Sequence, residues 1–341
     1  MDFDFSPEQY ALRDMARDLF ENESPASRIR DLYAGGERKP SCWRAMAAAG
    51  LTGLTVPEEF GGAGADEIDL ALVLEEAGRA ALPEPFLETV AIAAPLLAAA
   101  GTDEHKAEWL PRIASGDAVV TVLFRGQRYA VEAGDADLLL AESDEDGYFE
   151  ALPRDKYEAW LVETEDRARR LYNVDVSGVS RATRMTRTDA GPSYVRAAIA
   201  VAAVLNGVAM RLVEMTADYV KQRQQFGRPV GSFQAVKHRL ADTHTVVEQA
   251  RAVTWYAGYA TATGQDDAHL SACVARVRAT EAEAAANATA LQLHGGIGFT
   301  WEHDLHFWLK RGKAMEHAYG TAAEYRRAIA DDIFREGGPG V

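Results

Sequence analysis

The sequence predicts a mostly helical α+β protein: a helical first third, a short strand-bearing middle and a long helical remainder. Three observations predict it. Apolar residues recur at helical spacing up to about residue 117. Between Ala118 and Met185 short apolar runs are punctuated by Asp, Glu and Gly. From Tyr194 the helical period returns and persists to about Phe334, in stretches near 192–222, 233–263 and 267–293. Gly227-Arg228-Pro229 and Gly264 separate those stretches, and long helices with short connections make an antiparallel bundle. The implied domains are 1–117, 118–185 and 186–341.

Ser6-Pro7-Glu8-Gln9 starts the first helix. Ser6 caps it, Pro7 suits the first helical position and Gln9 closes a capping box. Leu12, Met15, Ala16, Leu19 and Phe20 continue it. Trp43–Ala49 is a second helix, stopped by Gly50. Val56–Gly64 (VPEEFGGAG) is too rich in glycine for regular structure and is a shaped loop, with Glu58 and Glu59 structural within it. Helices follow at Ile68–Ala81, Ala91–Ala100 and His105–Ile113. Strand-like runs are Val119–Phe124, Leu138–Ala141, Tyr148–Ala151 and Trp160–Val162. Ala197–Met210 is the longest apolar stretch, Ala-rich and broken by Asn206, which suits a buried core helix better than a bilayer span.

Lys plus Arg number 36 and Asp plus Glu 52, a formal charge of −16. So acidic a chain repels phosphate backbones and anionic lipid, and argues against nucleic-acid and membrane binding. An anionic small ligand needs a local basic patch. The acidic N-terminus, with no apolar run, is unlike a signal peptide, and a cytoplasmic location is expected. Cys42 and Cys273 have neither metal-ligand nor disulfide spacing, which suits a reducing compartment. His303, His306 and His317 lack metal-ligand spacing with a supporting carboxylate, so no metal site is expected. Lys310, Arg311 and Lys313, like Lys237-His238-Arg239, read as solvated helix faces rather than phosphate sites.

Two runs carry chemistry. In Arg223-Gln224-Gln225-Phe226-Gly227 the guanidinium fork suits a diphosphate, the ring suits an aromatic base and the glycine allows close approach. The same run also reads as an ordinary helix C-terminus. In Gln292-Leu293-His294-Gly295-Gly296-Ile297-Gly298-Phe299, three glycines let a ligand lie against main-chain N–H groups. A helix rather than a strand precedes them, so this is not a dinucleotide fingerprint of the strand–turn–helix kind.

Together with Val56–Gly64, these runs make the sequence resemble the acyl-CoA dehydrogenase family over nearly its whole length. The resemblance implies an N-terminal helical domain, a middle β domain and a C-terminal four-helix bundle. It further implies that the Arg-x-x-Phe-Gly and Gln-x-x-Gly-Gly runs bind the ADP half of FAD across a subunit interface. Arg223 and Phe226 would serve pyrophosphate and adenine; Gln292, Gly295 and Gly296 would hold the same region, and Gln234 matches a further family position.

The family removes the α-proton of an acyl thioester with a carboxylate while hydride passes from Cβ to the flavin. The position of the usual Glu, just before Gly320-Thr321, is taken by Tyr319. A tyrosine, with a reference pKa of about 10, is a poor base near neutral pH. Glu316, one turn earlier, is a weaker candidate. The alternative family slot on the first bundle helix falls at Ala197-Ala198, beside Arg196. The segments that contact the flavin ring are also missing: Thr121-Val122-Leu123-Phe124 and Trp160-Leu161-Val162 occupy their places. The middle region is reduced.

These departures imply a subunit with no catalytic residue of its own, sharing FAD with a second, catalytically complete acyl-CoA dehydrogenase subunit. The pattern resembles the α2β2 enzymes of actinobacterial sterol side-chain catabolism, which implies a bulky acyl-CoA substrate. Two alternatives stand beside it: a self-sufficient, monooxygenase-like flavoenzyme, and a flavin-free interaction subunit.

Overall fold

The computed structural model describes residues 4–145, 147–177 and 183–335. The coarse order, helices then short strands then long helices, is the predicted one, with a helix at Ala26–Tyr33, strands at Tyr129–Val131 and Leu171–Asp175 and a short hairpin at 224–229 in addition. Helices α1 (Pro7–Glu23), α2 (Ala26–Tyr33), α3 (Ser41–Ala48), α4 (Glu67–Arg79), α5 (Ala94–Ala100) and α6 (Asp103–Ala114) come first. Strands β1 (Val120–Leu123), β2 (Tyr129–Val131), β3 (Leu138–Glu142), β4 (Phe149–Pro153), β5 (Glu158–Val162) and β6 (Leu171–Asp175) follow. Helix α7 (Gly191–Gln222) leads through a two-residue-per-strand hairpin, β7 (Gln224–Gln225) and β8 (Arg228–Pro229), into α8 (Gln234–Ala262). Then come α9 (Ala268–His294), α10 (Leu305–Met315) and α11 (Ala322–Arg335).

The chain forms two compact units. One comprises Asp31–Leu70 and Pro83–Ala197. Its strands make two three-stranded sheets. In the first, β3 lies between β1, parallel to it, and β4, antiparallel. The second is antiparallel, in the order β2-β6-β5. The continuous apolar run Leu138-Leu139-Leu140 explains the central place of β3, since every residue in it is buried. Leu123, Ala130, Leu139, Leu152, Tyr157 and Tyr172 form the core of this region. Strands β2 and β6 were not expected because charged residues flank them. Glu132 is buried there and answered by two guanidinium groups, Arg38 at 3.0 Å and Arg170. The helix expected from Ala91 begins earlier, as a fully buried π-helical stretch, Leu87–Ala93. Its displaced Val90 carbonyl accepts from Thr55 Oγ1 at 2.5 Å. In the shaped loop, Gly62 is required sterically: a Cβ there would lie 2.0 Å from the Val56 carbonyl oxygen.

The other unit takes the chain up to Arg30, Ala71–Leu82 and everything from Ala198 on. The predicted capping box opens α1: Gln9 N–H donates to Ser6 Oγ at 3.2 Å, and Ser6 N–H to Gln9 Oε1 at 3.0 Å. Helix α7 is long and apolar enough to cross a membrane, but 72% of its most apolar window is buried in the protein. Asn206, fully buried, donates from Nδ2 to Thr254 Oγ1 of α8 at 2.9 Å. Helices α4 and α7 cross backbone to backbone. A Cβ at Gly207 would lie 1.8 Å from the Glu75 carbonyl oxygen, and one at Gly78 would lie 2.1 Å from that of Val204. Ion pairs flank the crossing, Arg17–Glu76 at 2.5 Å and Arg251–Glu75 at 2.5 Å.

A candidate nucleotide-binding site at one end of the bundle

Three helix ends meet where the two motifs lie. Tyr219, in the last turn of α7, stacks on His294, the last residue of α9, with ring centroids 4.4 Å apart and planes 19° apart. Near the start of α8, Arg239 Nε donates to Thr289 Oγ1 of α9 at 3.4 Å, and the Thr243 and Thr289 hydroxyls are 3.0 Å apart. The C-terminal ends of α7 and α9 and the N-terminal end of α8 therefore share one end of the bundle. That brings Arg223, Phe226, Gln234, Gln292, Gly295 and Gly296 to the same region.

Each is placed outward. The Arg223 side chain is exposed and makes no hydrogen bond or ion pair among the described residues. It sits in a segment, 221–239, that carries Lys221, Arg223, Arg228, Lys237 and Arg239 but no Asp or Glu. Within a chain of net charge −16 this segment is locally basic, although Lys221 pairs with Asp218 at 3.1 Å. Phe226 is at the tip of the β7–β8 hairpin. It has φ +55° and Gly227 φ +75°, the positive pair that a type I′ turn demands. A phenylalanine pays about 1 kcal/mol for that conformation, and here its ring is also 90% exposed. Neither the conformation nor the exposure buries the ring in a core. Phe233 supports the tip edge-on at 6.1 Å and is itself covered by the Arg228 guanidinium at 4.0 Å. Gln234 opens α8 with its Oε1 2.9 Å from His238 Nε2, and the N-cap residue Phe233 supplies no side-chain cap, leaving first-turn N–H groups available.

Gln292 is exposed on the last turn of α9. Gly295 adopts φ +62°, ψ −141°, a conformation reserved for glycine. Gly296 has no such backbone demand, and nothing within 4 Å would meet a Cβ there. Among the described residues no contact calls for glycine at 296. Ile297 is partly exposed, while Phe299 and Trp301 are 74% and 59% exposed.

Tyr319 lies elsewhere in this unit. It is only 8% exposed, with φ +54°, and its carbonyl accepts from Tyr325 Oη at 2.7 Å. Its loop is fastened by Arg276, a fully buried guanidinium. One nitrogen of Arg276 reaches the carbonyls of Met315, Glu316 and Gly320 at 3.0–3.1 Å and that of Ala318 at 3.4 Å. Burial pushes the Arg276 pKa down to about 10. Glu316 is engaged locally: Lys313 Nζ is 2.6 Å from its Oε1. Arg311 corrects the expectation of a solvated basic face. It is buried and donates from Nη1 to the Leu82 carbonyl at 2.8 Å, because its position on α10 faces the packed side. Lys310 instead lies over the Trp301 ring at 4.2 Å.

Glu283, near Arg276 on α9, was not singled out in the sequence, although its spacing from Ala272, Ala275, Ala279 and Ala286 places it on the buried stripe. Its Oε1 accepts from Asn287 Nδ2 at 3.1 Å, and Gly312 makes room for it, since a Cβ there would lie 1.9 Å away. Burial, with Glu316 adding to it, pushes its carboxyl up to about 7. The folded chain therefore keeps a proton that the unfolded chain releases near 4.5, and stability falls as pH rises between these values. Glu283→Gln keeps the shape without the ionisation. Its melting temperature is expected to match the parent at pH 5 and exceed it by a few degrees at pH 8, as differential scanning calorimetry across pH would show.

In the expected flavin-ring slots, β1 is wholly buried, Phe124 stacks on Tyr194 at 4.4 Å, and Trp160 is half-exposed on β5. Among the described residues no cluster of three or more His, Cys, Asp or Glu could hold a metal.

Comparison with known proteins settles the family. The model described as "Acyl-CoA dehydrogenase, N-terminal domain" matches residues 6–117, and that of the C-terminal domain matches residues 193–334. The acyl-CoA dehydrogenase IpdE2 of Mycolicibacterium smegmatis is 36% identical over 335 residues, covering 96% of this chain and 100% of the relative. The chain belongs to the acyl-CoA dehydrogenase family. The family is FAD-dependent. Among solved structures, a variant of the steroid acyl-CoA dehydrogenase Tcur3481–Tcur3483 superposes with a TM-score of 0.87 at 29% identity, covering 97% of this chain and 98% of that one. The ChsE4–ChsE5 complex of Mycobacterium tuberculosis gives a TM-score of 0.89 at 26% identity, with both chains covered in full. The first is named as a steroid acyl-CoA dehydrogenase under a pair of chain names, the second as a complex of two chains.

Proposed function

We propose that this chain is the base-lacking subunit of a heteromeric acyl-CoA dehydrogenase, and that it lends a nucleotide cradle to FAD held by a catalytically complete partner. The reading is carried by the free, exposed Arg223 beside the strained and exposed Phe226 and the unoccupied space over Gly296, all at one bundle end inside an acid-free basic segment. Arg223 would meet the pyrophosphate through charge-assisted hydrogen bonds. Phe226 would cover the adenine face, and Gln292, Gln234, Gly295 and Gly296 would line the same half. The bound flavin supplies the hydride acceptor. Base and ring contacts would come from the partner, since Tyr319 is a buried phenol in the usual base position and β1 is closed into a core. The relatives named as steroid enzymes and as two-chain complexes support a bulky, steroid-derived acyl-CoA thioester and an α2β2 assembly in the cytoplasm.

The test is to purify the chain alone and after co-expression with a neighbouring dehydrogenase, and to count flavin per polypeptide by absorbance. The expected result is colourless protein alone and one FAD per pair of chains in the complex. A yellow protein that desaturates an acyl-CoA unaided would refute the reading in favour of a self-sufficient flavoenzyme. A complex whose flavin is indifferent to Arg223 would favour a flavin-free interaction subunit.

A further inference from the structure

Between the two cradle loops lies a packed aromatic group for which the cradle reading has assigned no role. Tyr219 precedes Arg223 by one turn, and Arg223 N–H donates to the Tyr219 carbonyl at 2.8 Å. His294 immediately precedes Gly295. Their stacked rings thus join the hairpin that carries Arg223 and Phe226 to the glycine loop. His303 closes the group edge-on, 4.8 Å from His294 and 6.1 Å from Tyr219.

The hydrogen bonding fixes the His294 tautomer, and burial favours the neutral ring. Nδ1–H donates to the Ala290 carbonyl at 2.8 Å, while Nε2 is buried without a partner among the described residues. A second proton would create a buried, unanswered N–H and a charge in an apolar stack. His303 Nδ1 accepts from Leu305 N–H at 3.1 Å. The other titratable groups nearby are Arg30 and Asp304, which pair with each other, and His306 beyond them, beside Lys310. None offers His294 a carboxylate of its own.

We infer that Tyr219, His294 and His303 are positioning residues that set the register of the two cradle loops, and that protonation of the histidine pair loosens the cradle and releases the nucleotide end of FAD. The inference rests on the cradle reading above. Burial holds both imidazoles below their ordinary value of 6.5. A loosened state, with the rings in water, takes up the proton first. The closed register is fully favoured above that value and is lost as pH falls below it.

The experiment uses the co-purified complex and follows flavin fluorescence, which rises on release, from pH 7.5 to 4.5. The parent is expected to release FAD as pH falls below about 6.5. His294→Phe keeps a ring in the stack and removes the more buried of the two titrating imidazoles, and its release midpoint is expected below the parent's. Tyr219→Leu is expected to weaken FAD retention about tenfold at pH 7.5, and Tyr219→Phe to restore it. If His294→Phe releases flavin with the parent's pH midpoint, the inference is wrong, and that profile decides even where Tyr219→Leu does not assemble. Arg223→Glu separates the two readings. Flavin retained in Arg223→Glu overturns the cradle itself; flavin lost there, with an unshifted His294→Phe midpoint, overturns only the stack's role.

Discussion

Arg223→Glu in the co-expressed complex is expected to strip FAD while leaving the chain folded and the assembly intact. The side chain is exposed and unpaired among the described residues, so none of their packing depends on it. In the assembly it would meet two phosphates. Removing a charge-assisted fork there and substituting a like charge is expected to cost on the order of 3–4 kcal/mol, an affinity loss of roughly 10²- to 10³-fold. Flavin absorbance after gel filtration reads the loss directly, and circular dichroism of the same fractions shows that the fold persists. Arg223→Lys keeps a charge but not the planar fork and is expected to fall between the two. A complex that elutes fully flavinylated with Glu at 223 would end the cradle reading.

Gly207→Val is expected to do the opposite: to destroy the chain without touching the cradle. Any Cβ at 207 would lie 1.8 Å from the Glu75 carbonyl oxygen and 2.7 Å from the Arg79 nitrogen. Both are backbone atoms of the helix that crosses α7, and neither can swing aside. The helices must separate, losing packed apolar surface and unseating the ion pairs of Glu75 and Glu76. A cost of at least about 4 kcal/mol is expected, a large share of a domain's stability. Soluble yield and the melting temperature of what remains measure it. Gly296→Ala is the control and should melt with the parent.

Much of this was legible beforehand, for identifiable reasons. The capping box at Ser6 and Gln9 formed as read, because both partners lie within one turn and need no tertiary context. Long helices announced themselves by period. Strands β2 and β6 did not, because Glu132 beside them is answered by Arg170 and by Arg38, both far away in sequence, and a three-centre ion pair cannot be inferred from local pattern. Arg311 misled for the same reason: its acceptor is a main-chain carbonyl at Leu82. The motif residues were visible as types at a spacing, but only the structure shows that α7, α8 and α9 carry them to one end. The ring stack of Tyr219, His294 and His303 escaped notice because its members are spread over 85 residues, and ring types at such separations follow no periodic rule. Arg276 and Glu283 left a clue that was passed over: ionisable residues in register with the buried alanines of α9.

The open space above Gly296 carries a historical consequence. Under the proposed sharing of FAD, selection on that site would act through the fitness of another gene's product, because an alanine there meets nothing within 4 Å in this polypeptide. Gly295 is constrained by its own torsion angles and would persist regardless. In a lineage that discarded the companion gene, the second glycine of the doublet should drift while the first stays fixed, and genomes retaining one gene without the other would keep a record of the lost alliance.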